Sequence, residues 1–264
     1  MTQLGERKTM RVVINGVDMT TKGFYLITTD DAFKFAYGLK QSTIKANTNS
    51  FRPPQIKGRK RECQTFTFTL TKLSYGVGVP LTITEDELSW LGRLVYQLDD
   101  EVSIECNGRM CLGTVLDSED SWLNTYNQGY INFTFETSSP YFYSPIISNE
   151  RTVVGNYSLN IYNKSDVNEE VYPEFLIKNV NATEITIKNI NGKSMTIKEL
   201  KPNTVYRIHN EKKSVLNVSD YKDNIYANVT GDWISLRYGK NIFNINSNGR
   251  LDLKILHRNK YLVI

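Results

Sequence analysis

The chain has 264 residues, a formal net charge of +4 at pH 7, and 40% hydrophobic residues, with aromatic residues at 11%. This length allows one large β domain or two smaller domains, and the composition excludes a disordered chain. The charge excess is too small to indicate nucleic-acid binding without a concentrated patch. The N-terminus lacks an apolar run of signal-peptide length and no window resembles a membrane span. We therefore expect a soluble protein, made in the cytoplasm, with no membrane insertion.

The first segments predict strands joined by tight turns. Asn15-Gly16 separates an apolar run from the aromatic stretch around Phe24, and a type I′ hairpin turn needs two residues at positive φ. Residues 46–61 are rich in Asn, Ser, Pro and basic side chains. Because proline cannot donate to a central ladder, Pro53-Pro54 predicts an exposed loop over that segment. Residues 63–70 alternate in polarity and predict a strand.

One helix is predicted from Thr84. Thr84 and Glu87 have the spacing of a capping box, in which each side chain bonds the other residue's backbone N–H. An apolar stripe at helical spacing follows, formed by Leu88, Leu91, Leu94, Val95 and Leu98. A partner protein could occupy such a stripe, but we expect it to pack against the chain's own sheet.

A domain boundary is predicted near residue 150. A further hairpin is predicted around Asn107-Gly108, and Tyr130–Glu136 alternates as a strand. Prolines then bracket the aromatic tripeptide of Ser138–Pro145, which restricts the backbone to extended or turn geometry. We assign residues 1–150 to one domain and 151–264 to a second.

The second domain is predicted to be entirely β, since short β-like runs alternate with turn residues. These runs are 172–178, 184–189, 194–199, 204–208, 214–218, 233–236, 241–245 and 251–256. The predicted fold class is mostly β. It comprises an N-terminal β-sandwich or barrel-like domain with one helix and a C-terminal jelly-roll or galectin-like sandwich.

Residues suited to catalysis or metal binding are few. The two histidines, His209 and His257, follow predicted strands and are expected to be surface or satisfied structural residues. Cysteines occur only at Cys63, Cys106 and Cys111, without the paired spacing of a zinc site, so buried reduced thiols are expected. We predict no catalytic residue, no metal and no cofactor.

Two groups of carboxylates could in principle hydrolyse glycosides. The first, Glu85, Asp86 and Glu87, lies at a helix N-terminus, where the macrodipole favours negative charge. The second, Asp117, Glu119 and Asp120, is typical of a solvated turn. Neither group by itself indicates an active site, and an enzyme is not predicted.

The densest charge cluster contains Lys57, Arg59, Lys60 and Arg61. Such a cluster can contact nucleic-acid phosphates by releasing counterions. It can equally be solvated, or paired with acids on a neighbouring subunit. Because the rest of the chain is nearly balanced in charge and no aromatic residues interleave the cluster, we favour the second interpretation.

Several aromatic residues of the second domain have two possible roles. Trp233 and Tyr238, with Tyr221 and Tyr226, are candidates to stack on sugars, because β-sandwiches commonly carry carbohydrate sites. Aromatic residues also fill sandwich cores. The sequence leaves both interpretations open.

The order of these features resembles the distal tail proteins of long-tailed phages. The early Val-Val-Ile-Asn-Gly-Val-Asp run, the proline-containing loop, the single helix and the segment Phe133–Pro145 carry the resemblance in the first half. In the second half it rests on Tyr172–Phe175, Ile187–Asn189 with Asn191-Gly192, and Trp233–Asn241. The chain departs from the family in lacking an early Phe-rich opening and in its basic loop.

The resemblance implies a structural protein of the virion tail tip or baseplate. Its N-terminal domains would close a hexameric ring around a lumen, and its C-terminal domains would project outwards. The implied partners are further copies of the chain, the tail tube protein, the tape-measure protein, the tail-tip hub and receptor-binding proteins. DNA would pass through the lumen without sequence recognition. The alternative is a carbohydrate- or receptor-binding module of the tail.

Overall fold

The chain forms two compact units, both built mainly from β-strands. The computed structural model describes residues 11–27, 41–45, 56–74, 78–96, 100–117, 122–223 and 225–262. The first unit comprises Met1–Tyr143 with Leu262–Ile264, and the second comprises Ser144–Tyr261. The predicted mostly β fold class is confirmed. The predicted boundary near residue 150 falls inside a strand of the second unit, because Ile147 already pairs with His257.

The first unit has a curved antiparallel sheet, a separate two-stranded hairpin and one helix. Its elements are β1 (Val12–Ile14), β2 (Val17–Asp18), β3 (Phe24–Ile27), β4 (Gln41–Lys45), β5 (Ile56–Arg61), β6 (Thr65–Lys72), α1 (Glu85–Val95), β7 (Val102–Cys106), β8 (Arg109–Asp117), β9 (Trp122–Leu123), β10 (Gly129–Thr137) and β11 (Phe142–Tyr143). The sheet order is β2-β1-β7-β8-β10-β6-β3, with β9 on β10 and β11 on β8. β4 pairs with β5 alone.

Both predicted Asn-Gly hairpin turns are confirmed. Asn15 and Gly16 have φ angles of 48° and 77°, and Asn107 and Gly108 have 53° and 70°. The Asn15 amide also accepts a bond from the Ser103 backbone N–H at 2.8 Å and donates to the Leu94 carbonyl at 2.9 Å. The first turn therefore fastens the last turn of α1 to the sheet.

The capping box of α1 is also confirmed. Thr84 Oγ1 accepts from the Glu87 N–H at 3.2 Å, and the Thr84 N–H donates to Glu87 Oε2 at 2.9 Å. Leu91 and Val95 are buried, and the Trp90 ring lies 6.3 Å from that of Phe24. The apolar stripe thus packs on its own unit, as predicted. The helix ends at Val95, and Leu98 lies outside the described residues.

Replacing Thr84 with alanine should lower the free energy of unfolding by about 1 kcal/mol, because the Glu87 N–H loses its acceptor. Urea denaturation of the two chains measures the difference. Thr82→Ala is the matched control, since the Thr82 side chain is exposed and only its backbone carbonyl accepts a bond, from Lys72. Equal losses in both variants would contradict the capping role.

The predicted loop over residues 46–61 is wrong for its last part. Residues 56–61 form β5, which pairs with β4 in the register Gln41↔Arg61 and Thr43↔Arg59. Proline excludes a residue only from the ladder position that it occupies. A strand therefore begins two residues beyond Pro54, at Ile56. The remainder of the predicted loop, with Pro53-Pro54, lies outside the described residues.

The second unit is a curled antiparallel sheet. Its strands are β12 (Ile147–Asn163), β13 (Glu174–Asn179), β14 (Glu184–Asn189), β15 (Ser194–Lys198), β16 (Val205–His209), β17 (Ser214–Asn217), β18 (Val229–Gly231) and β19 (Gly239–His257). The short β20 (Lys260–Tyr261) lies outside this sheet. The order is β17-β16-β13-β19-β14-β15-β18, with β12 on β19. The Phe175 and Phe243 rings meet edge to face at 6.3 Å, so β13 packs against the other half of β19.

The long pair β12 and β19 departs from the prediction. The two strands predicted at 241–245 and 251–256 are one strand, β19. Val154 pairs with Arg250 and Gly155 pairs with Ser247, so the two residues between Ser247 and Arg250 form a bulge in β19. Such a bulge bends a strand without ending it. The strand predicted at 233–236 is also wrong, since only Leu236 forms a bridge there, to Val171.

Buried asparagine side chains hold the irregular segments of the second unit. Asn179 Nδ2 donates to the Ala182 and Lys201 carbonyls at 2.8 and 2.7 Å, while its Oδ1 accepts from the Ala182 N–H. Further buried asparagines are Asn163, Asn189, Asn210, Asn217, Asn241 and Asn259. Because buried polar groups need partners, these amides satisfy backbone groups that no strand pairs.

Candidate interaction surfaces

The described residues hold no group of three or more His, Cys, Asp or Glu side chains placed to bind a metal ion. None of the described helices is long and apolar enough to cross a membrane. Cys106 and Cys111 are buried. Burial raises the pKa of the Cys106 thiol to about 11 and that of Cys111 to about 12. Both thiols are therefore protonated at neutral pH and are poor nucleophiles.

The two histidines occupy different environments. His209 is half-buried, and its Nδ1 lies 3.3 Å from Glu174 Oε2. His257 is only 4% exposed, and its Nε2 lies 3.4 Å from the Tyr162 carbonyl oxygen. His257 Nδ1 has no hydrogen-bond partner among the described residues. The expectation of a surface or satisfied residue is therefore wrong for His257, because the alternation along β19 turns it inwards.

Acidification should destabilise the second unit through His257. Desolvation lowers the pKa of His257 below its ordinary value of 6.5, although the Tyr162 carbonyl opposes this. The unfolded chain therefore takes up the proton first, so stability is complete above pH 6.5 and falls as the pH decreases below it. The free energy of unfolding, measured by urea across this range, should fall less in His257→Gln. An unchanged pH dependence in that variant would contradict the assignment.

The first carboxylate group lies in the opening turn of α1, as predicted. Lys72 Nζ contacts the Glu87 oxygens at 2.7 and 2.9 Å. Burial raises the pKa of Glu87, but the bonds from Lys72 and Thr84 outweigh it and hold that pKa below its usual value. The residue is an ionised partner of the sheet and does not resemble a general acid. In the second group the side chain of Asp117, together with Glu119 and Asp120, lies outside the described residues.

The basic cluster lies on β5, and its last member is anchored. The Arg61 guanidinium lies 5.5 Å from the centre of the Tyr141 ring, which is a cation–π distance. Tyr141 belongs to the proline-bracketed segment predicted to end the first domain. In the β4–β5 register Arg59 pairs with Thr43 and Lys60 with Ser42, whereas Lys57 falls at the register shift.

Trp233 and Tyr238 have different surroundings. Trp233 is half-buried against the core, and its ring stacks on Tyr226 at 6.2 Å. Tyr238 is 71% exposed and lies in the turn before β19. No ring contact within the described part of the chain joins these two residues. Trp233 therefore has a packing role in addition to any contact with a ligand.

The turn at 237–241 carries two functional candidates that the sequence reasoning missed, Arg237 and Lys240, beside the predicted Tyr238. It exposes Arg237, Tyr238 and Lys240 beside Tyr162 of β12. The sequence signal is the run Arg-Tyr-Gly-Lys, in which three long polar side chains adjoin a turn-forming glycine.

The second unit also carries the positive charge of the protein, with 17 Lys and Arg against 12 Asp and Glu. The first unit has 15 against 16.

The fold is shared with known phage tail proteins. SPP1 Dit, described as a paradigm of the hub adsorption apparatus in phages that infect Gram-positive bacteria, aligns over 97% of this chain and 100% of its own, with a TM-score of 0.66 and 14% identity. The chain has the fold of a phage distal tail protein. The predicted resemblance to that family is thereby confirmed.

Further comparisons agree with the distal tail fold. Residues 141–255 match the family described as a phage tail C-terminal domain. A chain of the activated phage p2 baseplate with Ca aligns over 94% of both chains, with a TM-score of 0.54 and 9% identity. A chain of the corresponding structure with Sr covers 97% of this chain and 99% of its own, with the same TM-score and identity. No curated protein matches the chain in sequence.

Proposed function

We propose that the protein is a non-enzymatic ring subunit of a phage tail tip or baseplate. The distal tail fold over nearly the whole chain and the phage tail family match over residues 141–255 support this role. In the proposed hexamer the first unit closes the ring around the lumen, and the second unit faces outwards. The tail tube protein, the tape-measure protein and the tail-tip hub would dock on the ring, and DNA would pass through it without sequence recognition.

The single observation that carries the ring is the isolated β4–β5 hairpin. Its two strands pair only with each other among the described strands. A two-stranded hairpin alone is marginally stable in water. β5 is also strongly basic in sequence, whereas the first unit as a whole has 16 acidic against 15 basic residues. A second copy of the chain would offer the hairpin further packing and an opposite charge.

Crosslinking of mixed isotopes tests this contact. Equal amounts of ¹⁵N-labelled and unlabelled protein are mixed, crosslinked through lysines and digested. Peptides containing Lys57 or Lys60 should appear in mixed-isotope pairs with peptides of the first unit. Mixed pairs confined to the second unit would contradict a ring closed by the hairpin.

A second candidate function is receptor binding by the second unit. The exposed aromatic residues favour it, since Tyr238 is 71% exposed and Tyr226, which stacks on Trp233, is 53% exposed. The second unit would then bind the receptor in addition to, or in place of, separate receptor-binding proteins. A glycan array tests receptor binding by the second unit. Saturable binding that Trp233→Ala or Tyr238→Ala abolishes would support it. Absence of binding would contradict it and leave the ring as the only proposed role.

A further inference from the structure

The end of β12 and the turn before β19 form one exposed platform. Tyr162 pairs with Lys240 in the β12–β19 register, so their side chains share a face of the sheet. Tyr162 is 54% exposed, and Lys164, Arg237 and Lys240 are exposed as well. With Tyr238, these residues bring two exposed tyrosines and three exposed cations to the end of β12 and the turn before β19. We call this set the tyrosine–cation platform.

Two buried asparagines hold the platform rigidly. Asn241 Nδ2 donates to the Arg237 and Gly239 carbonyls at 2.8 and 3.1 Å, and its Oδ1 accepts from the Arg237 N–H at 3.0 Å. Asn163 Nδ2 donates to the Leu236 carbonyl at 3.3 Å. The turn is therefore fixed both internally and to the end of β12. A fixed backbone reduces the entropy lost when a ligand binds.

The cations of the platform are available to a ligand. None of the ion pairs among the described residues involves Lys164, Arg237 or Lys240. The nearby carboxylate of Glu170 is neutralised by Lys193, whose Nζ lies 2.8 Å away. An anionic group can therefore approach the platform without displacing an existing partner. Arginine and lysine bind phosphate and carboxylate oxygens strongly by charge-assisted hydrogen bonds.

We infer that the platform binds an anionic polymer of sugars or polyols, one that carries phosphate or carboxylate groups. Tyrosine offers an apolar face and a polar hydroxyl, which together suit the faces and hydroxyl groups of sugars and polyols. Three cations suit a polymer with spaced charges. They are few compared with the roughly 6–10 phosphate contacts that nucleic-acid binding uses. The inference rests on the receptor-binding candidate and gives it a ligand class and a site.

Binding of purified poly(glycerol phosphate) to the full chain tests the platform. Dextran serves as the neutral polymer and oligothymidylate as the nucleic acid. The wild type should bind poly(glycerol phosphate), lose affinity as salt rises from about 50 to about 200 mM, and bind neither dextran nor oligothymidylate comparably. The double variant Arg237→Glu with Lys240→Glu should lose about tenfold or more in affinity.

A matched charge reversal separates the site from net charge. Lys212→Glu with Lys213→Glu alters an exposed turn of the same unit by the same charge, and should change affinity less than about twofold. Tyr162→Ala should weaken binding, whereas Tyr221→Ala, at a residue 76% exposed, should not. Melting temperatures of all variants should match the wild type, since every altered side chain lies at the surface.

Several outcomes would overturn the inference. These are no binding of poly(glycerol phosphate) by the wild type, equal losses in the two charge reversals, or equally tight binding of oligothymidylate. Neutral glycan binding lost in Trp233→Ala alone would support receptor binding while contradicting this site. Ring formation is measured separately by mass, so its failure would leave these results interpretable.

Discussion

Reversing the charges of Lys57, Arg59 and Lys60 to glutamate should abolish ring formation while leaving the chain folded. The hairpin that carries them pairs with no other described strand, so the three substitutions fall outside the main sheet of the first unit. In the proposed ring the hairpin meets acidic residues of the next copy's first unit, so three glutamates would replace attraction with repulsion. Like-charge contacts at an interface cost several kcal/mol. Sedimentation velocity should show monomers at concentrations where the wild type assembles.

The matched variant carries the same change in net charge on the other unit. Lys212, Lys213 and Lys222 are exposed in the second unit, and their reversal to glutamate should leave assembly intact. Both variants should melt as the wild type does. Assembly retained after reversal of β5, or lost equally in both variants, would remove the hairpin from the proposed ring contact.

Gly113→Ala should destabilise the first unit by about 3 kcal/mol, because β8 has no space for a methyl group there. A Cβ at this position would lie 2.8 Å from Thr137 Cα and from the Phe135 ring, and closer still to the Glu136 carbonyl oxygen. These atoms belong to β10, which pairs with β8 next to a register shift. Backbone atoms of a central strand cannot yield as a flexible side chain can.

Urea denaturation followed by the fluorescence of Trp90 and Trp122 measures this loss, in a Trp233→Phe background that removes the signal of the second unit. Gly92→Ala is the control. Gly92 lies inside α1 with no atom within 4 Å of a built Cβ, so alanine should stabilise the chain by about 0.5–1 kcal/mol. If Gly113→Ala unfolds with the wild-type midpoint, the close approach of β8 and β10 is not essential.

Local signals in the sequence predicted the regular parts of the first unit well. The Asn15-Gly16 and Asn107-Gly108 turns and the capping box at Thr84 each depend on a few adjacent residues, whose chemistry allows one geometry. The apolar stripe of α1 was also assigned correctly to the unit's own sheet. Where the stereochemistry is local, sequence suffices.

Features that depend on distant pairing were not predictable in the same way. Residues 56–61 were predicted as part of a loop because prolines and cations disfavour strands. They form β5 because β4 pairs with them, and no local sequence pattern indicates that pairing. The polar run within β19 has the composition of a turn, but it forms a bulge in β19 where that strand pairs with β12. The platform around Tyr238 is likewise assembled by register, since Tyr162 and Lys240 are far apart in the sequence.

Native mass spectrometry of the purified full chain tests the proposed ring most directly. Each chain has a mass of 30.4 kDa, and the proposal predicts an assembly of six chains that dissociates into monomers after charge reversal of β5. Only monomers across the accessible concentration range, with no sixfold ring in electron micrographs of the same sample, would contradict it.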